Sequence, residues 1–200
     1  MKILKPDSTG IAEALEVLKN GGIVAHATET CYGLACDIGD PKAVERLFAT
    51  KARGRTQPVS ALFASVDDAK KYVTWNARAE ELAKGLPGPL TLVLPVRTDE
   101  PSLLFPVPDP DPSHVKTVGV RVSPHPVALA LVKGFGNPIS TTSANVHGQP
   151  NPYSADDIKV QFTGREFVPD LILDSGALPQ ASPSKVVDLT KEDGERILRA

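Results

Sequence analysis

The sequence predicts an α/β fold, a single domain over residues 1–200 with a twisted mixed β-sheet flanked by helices. Three observations lead there. Apolar runs of strand length alternate with stretches of helical periodicity, in an irregular order with no fixed repeat. No glycine-rich loop of the dinucleotide or Walker type is present, which sets aside the commonest nucleotide folds without setting aside nucleotides. Two hundred residues, 41% apolar and 23% charged, suffice for one sizeable core.

The elements follow in order. Asp7, Ser8 or Thr9 caps a first helix with the apolar face Ile11, Leu15 and Leu18, and Gly21-Gly22 ends it. A buried strand begins at Ile23-Val24-Ala25 and leaves through a polar stretch, Thr28, Glu29, Thr30 and Tyr32. Asp40-Pro41 reads as an N-cap with proline in the first turn of a helix that carries Val44, Leu47 and Phe48 to about Lys51. A polar loop at 53–57 precedes the buried strand "PVSALFA". Capped helices are expected over 65–73 and 76–84, and prolines confine "LPGPLTLVLPV" to a compact strand. The Pro- and Asp-rich segment 99–116 is expected to be a surface loop or lid. The strand "TVGVRVS", a helix from Pro126 to Lys133 and the strand "PIST" come next. A helix starting at Ser154 and the strands "DLILD", "KVVDL" and "RILRA" complete the chain.

A net charge of −2 argues against blanket attachment to nucleic acid or membrane, while leaving room for a local basic site. No apolar run is long enough to span a bilayer, and Met1 to Lys5 leads into Pro6 without a signal-peptide core, so a cytoplasmic protein is expected. Cys31 and Cys36 form an evenly spaced set with His26. Structural zinc wants a fourth ligand and tighter pairing, so the cysteines read as free buried thiols and no protein-bound metal is expected.

Three clusters could carry chemistry. "KARGR" offers Lys51, Arg53 and Arg55 at alternate positions, which an extended segment would place on one side to meet a triphosphate or a carboxylate; a solvated basic loop is the other reading. "STTSANVHG" gathers Ser140, Thr141, Thr142, Ser143 and Asn145 at a strand exit, suited to phosphate oxygens and an amino acid, or to turn and capping bonds. The same two readings apply to the Thr28–Tyr32 stretch. Arg121 stands within "VGVRV" on the face opposite Val120 and Val122, where it is either solvated or holds a carboxylate through two parallel hydrogen bonds. None of His26, His114, His125 and His147 has a nucleophile context, and no G-x-S-x-G elbow occurs.

In this order, "GGIVAHATETCYGLACD", "LFATKARGR", "PVSALF", "LPGPLTLVLP", "VGVRVSPHP", "PISTTSAN", Ser175-Gly176 and "SKVVDL" before "RILR" resemble the YrdC family of L-threonylcarbamoyladenylate synthases. The resemblance covers nearly the whole chain, and the pairing of K-x-R (Lys51, Arg53) with S-x-N (Ser143, Asn145) is its most specific part. It implies a YrdC-like domain with an open concave ligand cleft. The reaction implied joins ATP, L-threonine and bicarbonate into threonylcarbamoyl-AMP and pyrophosphate, for N6-threonylcarbamoyladenosine in tRNA. Lys51, Arg53, Arg55, Ser143, Asn145, Asn151 and Arg199 would then face ATP, the K-x-R and S-x-N residues being catalytic. Thr28, Tyr32, Arg121, Thr141, Thr142 and Ser184 would form the threonine site, with Arg121 on the carboxylate. Mg2+ would accompany ATP, and separate tRNA-modifying transferase proteins would take the product, with tRNA contact possible.

The chain departs from the family pattern at Ala27, Leu62, His147 and Lys185, and a glycine that commonly follows the Arg199 neighbourhood is missing. The alternatives are an RNA-binding module of the same fold without synthase activity and a carbamoyl-adenylate transfer module like the related domain of hydrogenase maturation proteins.

Overall fold

The computed structural model describes residues 1–54, 59–97, 116–191 and 194–200. The expected loop or lid at 99–116 therefore lies, except for Lys116, outside the described residues. The elements are β1 (Lys2–Leu4), α1 (Ser8–Lys19), β2 (Val24–Ala27), β3 (Tyr32–Ala35), α2 (Pro41–Lys51), β4 (Ser60–Leu62), α3 (Val66–Ala69) and α4 (Ala77–Leu82). After a 3-10 turn (Ala83–Gly85) come β5 (Leu90–Pro95), β6 (Thr117–Arg121), α5 (Pro126–Phe135), β7 (Ile139–Ser143), α6 (Ala155–Phe162), β8 (Leu171–Leu173), β9 (Lys185–Lys191) and β10 (Gly194–Arg199).

The helix starts are local side-chain chemistry. Asp7, Asp40, Ser65, Asn76 and Ser154 each accept a backbone N–H of the following turn, satisfying donors that have no partner inside the helix. The helix expected over 65–73 is shorter, α3 ending at Ala69, because the chain must turn to bring Val73 into a bridge with Val96. Two strands are additional to the sequence reading. β1 pairs in parallel with β8, and the polar stretch after β2 turns back on itself so that β3 pairs antiparallel with β2.

The ten strands among the described residues form one mixed sheet in the order β1-β8-β2-β3-β7-β4-β6-β5-β9-β10. β7 joins its two halves, pairing antiparallel with β3 on one side and β4 on the other. Ser140 on β7 reinforces that joint, since its hydroxyl accepts the Cys36 backbone N–H at 2.8 Å.

Alternation along the strands decides what each face meets. Ala25, Ala27, Tyr32 and Leu34 pack against α2 and α6 through Val44, Leu47, Phe48, Ile158 and Phe162. Val24, Ala35, Leu171 and Leu173 pack on the other face against α1 and α5. In the second half, Ala61, Leu92, Leu94, Val118, Val120 and Val187 lie in a core with Ala69 of α3 and Ala79 of α4. The alternate residues of those strands, Ser60, Thr91, Val93, Gly119, Arg121 and Val186, face a cleft.

Candidate active site

The cleft encloses about 360 Å³. Its floor crosses the strands: Thr141 of β7 lies beside Ser60 of β4, Ser60 beside Gly119 of β6, and Gly119 beside Val93 of β5. Gly119 contributes no side chain, and a Cβ there would meet the Ser60 hydroxyl at 2.5 Å and Thr91 Cγ2 at 3.0 Å, so only glycine leaves these two side chains room in the floor. Around it stand Thr28, Thr30 and Cys31 from the β2–β3 turn, Lys51 and Arg53 from the end of α2, Asn145, His147 and Asn151 after β7, Ser184 just before β9, and Arg199 at the end of β10.

Lys51 and Arg53 reach the cleft by a route other than strand alternation. Lys51 is the last residue of α2, and Ala52 follows in the left-handed conformation (φ 49°), which breaks the helix and lets the Arg53 N–H bond the Phe48 carbonyl at 3.0 Å. The Lys51 ammonium is buried and donates to the Ser143 carbonyl, to the Asn145 carbonyl at 2.9 Å and to Asn145 Oδ1 at 3.1 Å. The Ser143 hydroxyl donates to the same Oδ1 at 2.6 Å. Lys51 of K-x-R thus meets Ser143 and Asn145 of S-x-N in one hydrogen-bonded unit, pinning the exit of β7. Burial, then the neighbouring Arg53, lowers the Lys51 pKa to about 7. Arg55 lies outside the described residues.

Arg121 is buried in the floor, 5% exposed. One amino group, Nη2, donates to Glu29 Oε1, while Nη1 is buried with no hydrogen-bond partner among the described residues. Burial lowers its pKa below the usual guanidinium range, and Glu29 opposes that shift. A guanidinium out of water with one edge unpaired is costly unless a ligand supplies an acceptor.

The hydroxyls at the strand exit serve turn and cleft together. Thr28 Oγ1 donates to the Cys31 carbonyl at 2.6 Å and accepts the backbone N–H groups of Thr30 and Cys31, closing the β2–β3 turn while its side chain lines the cleft. At the far end, Arg199 donates from Nε to the Ser184 carbonyl and from Nη2 to the Ser184 hydroxyl, both at 2.7 Å. That hydroxyl lies 3.0 Å from Thr91 Oγ1. The residues expected for nucleotide and for amino acid therefore touch at the Arg199–Ser184 contact.

Residues 16–200 match the family model of Sua5, YciO and YrdC, described as "Telomere recombination". The chain belongs to this family. A relative named threonylcarbamoyl-AMP synthase from Vibrio cholerae is 33% identical over 182 residues, covering 89% of this chain and 92% of its own. The crystal structure of Pyrococcus abyssi Sua5 complexed with L-threonine superposes with a TM-score of 0.83 at 32% identity, over 99% of this chain and 56% of that longer one. Escherichia coli YciO superposes with a TM-score of 0.81 at 28% identity, covering 99% of this chain and 93% of that one.

Within this Sua5/YciO/YrdC domain, Tyr32 departs from the expectation that it walls the pocket. It does not line the cleft, because alternation on β3 turns it to the α2 and α6 side and gives the cleft face to Gly33. Its hydroxyl donates to the Gly176 carbonyl and accepts the Ser175 N–H, both at 2.8 Å. The remaining described site residues, Thr28, Lys51, Arg53, Arg121, Thr141, Thr142, Ser143, Asn145, Asn151, Ser184 and Arg199, all line the cleft. Glu29 and Ser123 were missed; a charged residue inside an apolar strand was the signal that a carboxylate partner had to be sought.

Of the positions departing from the family pattern, Ala27 and Leu62 are core residues, His147 lines the cleft and Lys185 is exposed. Cys31 and Cys36 are free buried thiols. Burial pushes the Cys31 thiol up and the Cys36 thiol up to about 12, which leaves both protonated at neutral pH. Among the described residues no three His, Cys, Asp or Glu side chains gather to hold a metal. Nor is any described helix long and apolar enough to cross a membrane.

Proposed function

We propose that this protein is an L-threonylcarbamoyladenylate synthase, a nucleotidyltransferase that makes threonylcarbamoyl-AMP from ATP, L-threonine and bicarbonate. The observation that carries the reading is the placement of a buried, half-paired Arg121 in the same cleft as Lys51 and Arg53. One cleft thus offers a carboxylate receptor and a phosphate receptor, and its thiol, Cys31, is held protonated by burial. The names of the relatives and the threonine complex of Pyrococcus abyssi Sua5 support it.

The threonine amine adds carbon dioxide from bicarbonate, with loss of water, to form a carbamate. A carbamate oxygen attacks the α-phosphorus of ATP, the bond to the bridging oxygen breaks, and pyrophosphate leaves. Such a step needs positioning, charge neutralisation at the phosphates and a site that shields the carbamate from water. Lys51, Arg53 and Arg55 meet the phosphates, with Ser143, Asn145, Asn151 and Arg199 on the nucleotide side. Thr28, Arg121, Thr141, Thr142 and Ser184 hold threonine, Arg121 by its carboxylate. The cleft's charged groups are mainly cations, a donor set unsuited to a resident metal, so Mg2+ arrives as part of the Mg-ATP substrate. The product passes in the cytoplasm to tRNA-modifying transferases.

The test is direct: purified protein with Mg-ATP, L-threonine and labelled bicarbonate should yield pyrophosphate and labelled threonylcarbamoyl-AMP. Folded protein that makes neither, beside an active relative, would sink the reading.

A further inference from the structure

Glu29 does not line the cleft, yet both of its carboxylate oxygens are committed. Oε1 accepts from Arg121 Nη2, and Oε2 accepts from the Ser123 hydroxyl. Ser123 is 3% exposed and is fixed in turn, its oxygen accepting the His125 backbone N–H at 3.2 Å where α5 begins. Glu29 enters from the β2–β3 turn, 92 residues from Arg121 in sequence.

A carboxylate facing a guanidinium prefers the two-bond fork, with each oxygen accepting from a separate N–H. Here Ser123 engages the second oxygen, the fork does not close, and Nη1 keeps no partner among the described residues. With no carboxylate, the guanidinium would be a buried ion without a counter-charge; with the fork closed, a ligand would find its donors already used. The observed arrangement lies between these two.

We propose that Glu29 and Ser123 form a positioning pair for Arg121, in which Glu29 neutralises and aims the guanidinium while Ser123 keeps Nη1 open for the carboxylate of the amino-acid substrate. This rests on the synthase reading. It assigns Ser123, which meets no substrate, a function: preventing Arg121 from being saturated by its own internal partner.

The experiment is threonine binding by calorimetry, together with KM and kcat for threonine and ATP, on wild type, Glu29→Ala, Glu29→Gln and Ser123→Ala. Glu29→Ala should weaken threonine about tenfold or more, the scale of a hydrogen bond to a charged group. Glu29→Gln keeps the shape and one acceptor but not the charge, and should recover only part of that loss. Ser123→Ala should raise the threonine KM severalfold with kcat at saturation retained, because the freed carboxylate closes the fork. The ATP KM should stay within about twofold throughout, a split that a merely structural role would not give. The proposal is overturned if Ser123→Ala and Glu29→Ala bind threonine as wild type does, or if ATP and threonine weaken together. Should Glu29→Ala not fold, Ser123→Ala, which removes one hydroxyl, decides alone. A wild type that neither binds threonine nor forms product refutes the synthase reading itself, whereas an active wild type with unaffected variants refutes only the positioning pair.

Discussion

His26 on β2 is fully buried, its Nδ1 3.1 Å from the Ala27 carbonyl and its Nε2 without a partner among the described residues. Burial dominates its titration and lowers the pKa from 6.5 to about 4, with the Ala27 carbonyl opposing and His125 adding to the shift. Between those two values the unfolded chain binds a proton that the folded chain refuses, so this residue removes stability as pH falls from about 6.5 toward 4. By pH 5 the loss should be about 2 kcal/mol. Urea unfolding at pH 7 and pH 5 should therefore show a larger drop for wild type than for His26→Gln, and parallel profiles would refute a buried neutral imidazole. Legibility at this scale was uneven. Arg121 could be placed on the face opposite Val120 and Val122 from its apolar neighbours alone, because alternation in a strand is rigid, but whether that face met solvent or a ligand stayed open. Its partner could not, because nothing local ties Glu29 to a residue 92 positions away. The bonds that commit Thr28 and Lys51 to backbone carbonyls were equally hidden, since any hydroxyl or ammonium can make them.

The elements were legible where caps and periodicity are local, as at Asp40-Pro41 or Asn76, and illegible where pairing is long-range, as for β1 on β8. The stretch after β2 shows the consequence for function. Taken as one strand with a polar exit, it leaves Tyr32 free to wall a pocket. Folded as a hairpin, with His26 opposite Gly33 and Ala27 opposite Tyr32, it turns the ring to the other face of the sheet. There the hydroxyl ties down the segment after β8 through Ser175 and Gly176. Tyr32→Phe should therefore lower stability by about 1 kcal/mol, the net worth of hydrogen bonds to partners that are only partly buried, while changing the threonine KM less than about twofold. A large rise in KM with unchanged stability would restore the tyrosine to the pocket.

At the scale of the whole molecule, the cleft belongs to neither half of the sheet alone. Thr28 and Gly33 come from the β2–β3 hairpin, whose half of the sheet packs against α1, α2, α5 and α6, whereas Thr91, Gly119 and Arg121 come from the half covered by α3 and α4, and β7 is the joint. The mixed sheet was readable from irregular alternation of elements, but this division was not, because strand order depends on which distant faces pack together. A ligand that contacts both halves stabilises the folded state of each, so binding should move one cooperative transition rather than split it. At about one hundred times its Kd, each substrate adds roughly 2.7 kcal/mol, which for a chain of this size is a rise in Tm of roughly 5–10 °C. Differential scanning fluorimetry should show such a rise with threonine and with Mg-ATP separately. Arg121→Ala should lose the threonine shift and keep the Mg-ATP shift, because its guanidinium is separate from the Lys51, Ser143 and Asn145 unit. If threonine still raised the Tm of that variant as in wild type, Arg121 would not be the carboxylate receptor. The half-paired guanidinium would then need another acceptor.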